Sequence, residues 1–219
     1  MDSLYSFVSG PLLWLAFLIF ACGSVFRLSN MFILINKKER FIYSYINLKY
    51  SLRSLFYWSV PFLATNWRMN PVFTIVTFAF HISLILSPLF LMSHVMLFSE
   101  AFGLQWVTLP DCIADIMTLT VITGSIYFFI RRIVCREVRF VTSVSDFIII
   151  VIVAAPFVTG FLAYHQFFNY QLMMTLHALS GVVLIVTIPF TRLSHMLLAP
   201  FTRAYTGSEF GAIRHAKDW

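Results

Sequence analysis

Five long apolar runs constrain the fold of this chain more than any other feature. A helix needs about 20 mostly apolar residues to cross a hydrocarbon core about 30 Å thick. Runs of suitable length lie at 8–26, 72–98, 113–130, 144–163 and 172–193. We therefore predict an all-α integral membrane protein with five transmembrane helices, folded as a single domain over residues 1–219.

The composition agrees with this class and excludes several others. Hydrophobic residues make up 60% of the chain and charged residues 11%, against about 25% charged in a soluble domain. The basic residues behind the net charge of +6 lie in the gaps between apolar runs, which argues against nucleic acid as a partner. The cysteines lack the C-x-x-C and C-x-x-C-H spacings of thiolate metal sites and attached c-type haem. No phosphate loop, nucleophile triad or pair of catalytic carboxylates is present, so we predict no catalytic residue.

The distribution of charge predicts the orientation of the spans. All 15 Lys and Arg residues lie in three segments, 27–68, 131–139 and 192–219. The other connecting segments carry acidic residues instead, namely Asp2, Glu100, Asp111 and Asp115. By the positive-inside rule, the N-terminus lies outside and the C-terminus lies in the cytoplasm. The segment 37–62 mixes basic and aromatic residues, which is typical of an amphipathic interfacial segment.

Four of the six histidines belong to two predicted spans. His81 and His94 belong to the second span, and His177 and His195 to the fifth, with His195 at its inner boundary. Ionisable residues inside a span are costly and usually functional. Because the two spans run in opposite directions, His81 and His195 form an inner pair, and His94 and His177 an outer pair. Each pair suits the axial ligation of one haem b iron, which predicts a haem-binding bundle of spans two to five.

The spacing of the two pairs tests this interpretation. On one continuous helix, His177 and His195 share a face and lie ~27 Å apart. On a straight helix, His81 and His94 lie ~20 Å apart and face directions about 140° apart. We expect kinks at Pro88 and Pro189 to reconcile the two spacings.

Three further assignments concern binding: an alternative haem ligand, a partner for a haem propionate, and a quinone site. His165 is the alternative outer ligand, should His94 face away. Arg192 precedes His195 by one turn, either as a snorkelling side chain or as the partner of a haem propionate. The outer segment between spans four and five contains hydrogen-bond donors and a titratable group that could bind a quinone. The alternative is that its residues form part of the interfacial belt at the membrane surface. Its candidate quinone-site residues are His165, Gln166, Asn169 and Tyr170.

The last span also resembles that of a known family. The stretch "LHALSGVVLIVTIPFTRLSHMLLAP", with its H-x17-H spacing, resembles the nitrate reductase gamma-subunit family of five-span dihaem cytochromes b. The resemblance implies that His177 is an outer-haem ligand and that His81 and His195 are inner-haem ligands. Nitrate reductase gamma subunits have the second-span pair ten residues apart, and the tenth residue after His81 is Leu91. The wider spacing of His94 resembles the Dsr/Tmc-type branch of sulfate reducers.

The start of the chain carries the same resemblance. The stretch "GPLLWLAFLIFACGSVFRL" is similar to the first span of Dsr and Tmc members and of the heterodisulfide reductase membrane subunit. The family implies quinol or quinone at the outer haem and a cytoplasmic iron–sulfur subunit at the inner haem. In some members it also implies a periplasmic multihaem cytochrome c.

These features give two functional hypotheses. The first is a dihaem cytochrome b in the cytoplasmic (inner) membrane of a bacterium or archaeon, surrounded by lipid. As the electron-transfer subunit of a respiratory oxidoreductase complex, it would carry electrons between a menaquinone-type pool or periplasmic cytochrome c and a cytoplasmic iron–sulfur subunit. The alternative is a haem-free membrane anchor or small transporter whose histidines are structural or relay protons.

Overall fold

In the computed structural model, residues 2–216 are described, and they form helices joined by short turns, with no strand among them. Lys217, one of the predicted cytoplasmic charges, lies outside the described residues. The α-helices are α1 (Asp2–Phe7), α2 (Leu13–Lys38), α3 (Ile42–Tyr45), α4 (Leu48–Ser59), α5 (Thr65–Met69), α6 (Pro71–Phe90), α7 (Met92–Phe102), α8 (Asp111–Val134), α9 (Arg136–Phe140), α10 (Val144–Tyr164), α11 (Tyr170–Thr187) and α12 (His195–Ser208).

Five helical stretches are long and apolar enough to cross a membrane, which confirms the predicted all-α, multi-pass class. They are Ser3–Lys38, Pro71–Phe90, Asp111–Val134, Val144–Tyr164 and Tyr170–Thr187. The first stretch is much longer than the predicted span 8–26. It continues to Lys38 and includes a π-helical turn, Val8–Leu12, around Pro11.

The chain divides into two compact units. The first unit comprises Met1–Leu13 and Val76–Leu184, and the second comprises Trp14–Ile75 and Ile185–Trp219. In the first unit, α8 and α10 pack closely, whereas α11 makes only sparse close backbone contacts with the described helices of that unit.

The predicted second span, 72–98, is two helices and not one. Leu91 is extended (φ −66°, ψ 132°) and separates α6 from α7. The break leaves the carbonyl groups at the end of α6 without their usual helical partners. The first unit supplies replacements, because Trp106 Nε1 donates to Leu89 O (2.7 Å) and Leu109 N donates to Phe90 O (2.9 Å).

The predicted fifth span, 172–193, ends earlier than the sequence suggested. Helix α11 stops at Thr187, two residues before Pro189, and α12 begins at His195 after a short 3₁₀ turn, Arg192–Ser194. Proline disfavours the helical conformation in the residue before it and has no N–H to donate. The prediction that His177 and His195 share one face of one helix is therefore wrong, since Pro189 ends that helix and does not merely bend it.

In the second unit, α4 packs on α12 through small polar residues. Ser51 Oγ donates to Ala204 O (3.1 Å), and it lies 2.8 Å from Ser208 Oγ. The opposite face of α4 exposes large apolar side chains, which are Leu48, Leu52 and Phe56. Helix α4 is therefore amphipathic, as predicted for the segment 37–62, and its small residues allow a close helix–helix approach of the kind common in membranes.

We expect Gly207→Ala to destabilise this helix pair. A Cβ at Gly207 would meet the Cβ of Ser54 and would lie 2.8 Å from the carbonyl oxygen of Tyr50. Since the backbone oxygen cannot rotate away, the expected loss is about 1–3 kcal/mol of unfolding free energy, measured by reversible unfolding in mixed micelles. Gly10→Ala is the control, because nothing lies within 4 Å of its added Cβ. Equal stability of the two variants would contradict the packing described here.

Candidate functional site

His94 and His177 lie next to each other in the first unit, with nearly parallel rings. His94 belongs to α7 and His177 to α11. Their ring centroids are 5.9 Å apart, and the ring planes differ by only 10°. The structure thus brings together the two residues that the sequence assigned to an outer pair.

Backbone hydrogen bonds define the tautomer of both rings. His94 Nδ1 donates to the carbonyl oxygen of Pro88, and His177 Nδ1 donates to that of Pro156, each at 2.8 Å. A carbonyl oxygen only accepts, so the ring proton sits on Nδ1 and Nε2 keeps its lone pair. Within residues 2–216, neither Nε2 has a hydrogen-bond partner. Both imidazoles are therefore anchored and have a ligating nitrogen available.

Side-chain contacts between α10 and α11 place His177. A Cβ at Gly160 would lie 2.9 Å from both Cε1 and Nδ1 of the His177 ring. Gly160 follows Pro156 by one helical turn, so the missing side chain opens the path of the imidazole to the Pro156 carbonyl. Thr159 Oγ1 and Ser180 Oγ, 3.3 Å apart, add a second polar contact between the same helices.

The break at Leu91 places His94. In a continuous helix, the Pro88 carbonyl would accept from the N–H of Met92. The extended conformation of Leu91 removes that donor, and His94 Nδ1 takes its place. The thirteen residues from His81 to His94 therefore do not form one straight helix, so the difference of about 140° calculated for a straight helix does not apply.

His165 is engaged elsewhere. It follows the last residue of α10, and its Nε2 lies 3.1 Å from Asp115 Oδ1 on α8, with both side chains about one-third exposed. Its ring also packs on Phe161, with centroids 4.4 Å apart. The structure thus pairs His177 with His94 and not with His165, and it adds a His–Asp contact that the sequence did not indicate.

The remaining candidates for a quinone site have mixed roles. Asn169 Oδ1 accepts from Leu172 N (3.0 Å), so this side chain caps the start of α11. Gln166 adopts a left-handed conformation (φ 55°) in the turn after α10. Tyr170 opens α11 with an exposed side chain.

The two predicted inner ligands belong to different units. In the first unit, His81 Nδ1 donates to Thr77 O (2.7 Å), one turn back on α6. In the second unit, exposed His195 begins α12, and its Nδ1 donates to Arg192 O (2.8 Å). Both rings therefore also carry the proton on Nδ1. Arg192 acts on His195 through its backbone carbonyl, a role that sequence reasoning missed.

Too few potential metal ligands lie together to bind a metal ion by themselves. Among the described residues, no group of three or more His, Cys, Asp or Glu side chains could hold a bare metal ion. Two facing imidazoles suit a metal whose other ligands come from a cofactor, as in haem, where the protein supplies only the axial ligands.

The helices and their composition define a multi-pass, all-helical membrane protein. Over 215 residues the chain is 35% identical to a protein of Nitratidesulfovibrio vulgaris (strain Hildenborough), covering 96% of this chain and 95% of the relative. The chain therefore belongs to the same family as that protein, whose description, "Protein", specifies no activity. No model of a known family and no solved structure matches the chain.

Proposed function

We propose that this chain is a membrane-embedded dihaem cytochrome b that serves as the electron-transfer subunit of a respiratory redox complex. The observation that carries the proposal is the facing pair His94 and His177, with parallel rings and anchored Nδ1 atoms.

The geometry of this pair fits axial ligation of one haem iron. Metal–imidazole bonds are about 2 Å long, so two rings that share a metal have centroids roughly 6 Å apart. The observed 5.9 Å agrees with that spacing. Histidines that bind metals usually donate their other ring N–H to a carbonyl or carboxylate, which orients the ring and raises its basicity.

The residues of the chain have defined tasks in this proposal. His94 and His177 bind the outer haem, and the carbonyl groups of Pro88 and Pro156 orient the two rings. Bound haem b supplies one-electron transfer. The inner haem rests on the sequence, with His81 and His195 as its ligands. The Nδ1 atom of each of these rings donates to a backbone carbonyl oxygen, which orients the ring.

The partners and the orientation follow from charge. The basic segments 27–68, 131–139 and 192–219 face the cytoplasm of a bacterium or archaeon and form the docking surface for an iron–sulfur subunit. On the outer side, electrons exchange with menaquinone or with a periplasmic multihaem cytochrome c. Quinone binds near His165, whose contact with Asp115 provides a group for proton exchange.

The direct test is haem content. We expect a pyridine haemochrome assay on the purified full chain, with protein measured by amino-acid analysis, to give about two b-type haems per chain. A haem-free membrane anchor or transporter would give none, and that result would contradict the proposal.

A further inference from the structure

Two side chains in the second unit bury hydrogen-bond donors without acceptors. Arg203 lies on α12 and Trp58 on α4. Within residues 2–216, Nε and Nη2 of Arg203 and Nε1 of Trp58 are inaccessible to solvent and have no hydrogen-bond partner. Buried polar groups are nearly always paired, so such a cluster calls for a ligand that the protein chain does not supply.

The two side chains form one packed pair. The guanidinium carbon of Arg203 lies 4.1 Å from the centroid of the Trp58 ring. This cation–π contact holds the guanidinium group against the indole ring. The donors therefore belong to one local site between α4 and α12.

Arg203 carries its charge without a compensating carboxylate. Arg203 takes part in no ion pair among the described residues, unlike Arg132, which pairs with Asp146, and Arg214, which pairs with Glu209. Burial lowers the pKa of Arg203 to about 10, so the group remains cationic at neutral pH. A buried, unpaired charge is costly, and an anion that accepts its hydrogen bonds would remove that cost.

We propose that Arg203 and Trp58 form a binding site for an anionic oxygen group, a phosphate or a carboxylate. The guanidinium fork matches two oxygens of either group, and the indole N–H supplies a third donor. One source is the phosphate of an anionic phospholipid, since α4 exposes Leu48, Leu52 and Phe56 for contact with lipid. The other source is the propionate of a haem at His195, the first residue of α12. Only this second source rests on the proposed function.

Two variants and one control test the site. Arg203→Gln removes the fork, and Trp58→Phe keeps a ring for stacking but removes the indole N–H. Arg53→Gln is the control, because Arg53 also lies on α4 and stacks on an aromatic ring, that of Tyr57, with its Cζ 4.6 Å from the centroid. It removes the same charge without touching the buried donors of Arg203 and Trp58.

The first arm measures lipid. The full chain is incubated with dimyristoylphosphatidylglycerol or dimyristoylphosphatidylcholine, and bound lipids are counted by native mass spectrometry. If phosphate is the ligand, both test variants should bind phosphatidylglycerol ~10-fold more weakly than the control. A preference for phosphatidylglycerol should also be present in the wild-type chain.

The second arm measures haem in the same proteins. If propionate is the ligand, both test variants should lose inner haem or shift its reduction potential, while lipid binding stays at the level of the control. If neither lipid binding nor haem properties differ from those of Arg53→Gln, the site is refuted.

The test also gives an answer if Arg203→Gln fails to fold or if the wild-type chain contains no haem. Should Arg203→Gln fail to fold, Trp58→Phe alone decides, because it preserves the charge and the ring. A wild-type chain without haem would refute the proposed function and the propionate source. The lipid arm would then decide the site by itself.

Discussion

Replacing His177 with Ala is expected to lower the haem content from about two to about one per chain, by removing the outer haem. The axial ligand is lost, and the neighbouring Nε2 of His94 cannot hold the cofactor alone in a low-spin, six-coordinate state. Pyridine haemochrome gives the stoichiometry, and electron paramagnetic resonance of the oxidised protein shows the loss of one low-spin signal.

Three further variants identify the second ligand of the outer haem. His94→Ala should remove the same haem, and the double variant His94→Ala/His177→Ala should lose no more than either single variant, because both residues act on one site. His165→Ala is the matched control on the same side of the membrane, and it should retain both haems because its Nε2 lies against Asp115. Loss of haem in His165→Ala with full retention in His94→Ala would move the outer ligand from α7 to the end of α10.

The fold class was readable from the sequence because bilayer crossing imposes a simple rule of length and hydropathy. Five apolar runs gave five apolar helices. The ends of these helices were less predictable. Hydropathy ignores hydrogen bonding, so it could not show that the first helical stretch continues to Lys38 or that α11 stops at Thr187. Pro189 was the available signal for the second of these, and it acts as a terminator and not as a kink.

The pairing of the outer histidines was predictable only in part. The sequence placed His94 and His177 at similar depths, but helical geometry on an unbroken second span turned His94 away. The break at Leu91 resolves this, and no local signal other than Pro88, three residues earlier, marks it. The roles of Gly160 and Asp115 depend on contacts between helices, which a single sequence does not reveal.

Gly160→Ala is expected to disturb the outer haem without removing any ligand. The new Cβ would lie 2.9 Å from Cε1 and Nδ1 of His177, well inside contact distance. The ring must move, because the backbone of α10 is held by its own helical hydrogen bonds, and the bond from Nδ1 to the Pro156 carbonyl is then weakened. Loss of such an orienting partner typically costs 10–100-fold in metal affinity, so we expect partial loss of the outer haem during purification and a shifted potential in what remains.

Gly181→Ala separates this steric effect from a general response to alanine. Gly181 lies on α11 itself, one turn after His177, and nothing lies within 4 Å of its added Cβ. Alanine is favoured over glycine inside a helix by ~1 kcal/mol, so this variant should be at least as stable as wild type, with both haems in place. The three atoms nearest to the added Cβ at Gly160 all belong to His177. Gly160→Ala should therefore leave the inner haem intact, and the spectrum of that haem should match the spectrum of the haem that remains in His177→Ala. If Gly160→Ala retained an unaltered outer haem, the observed position of the His177 ring would not be needed for haem binding.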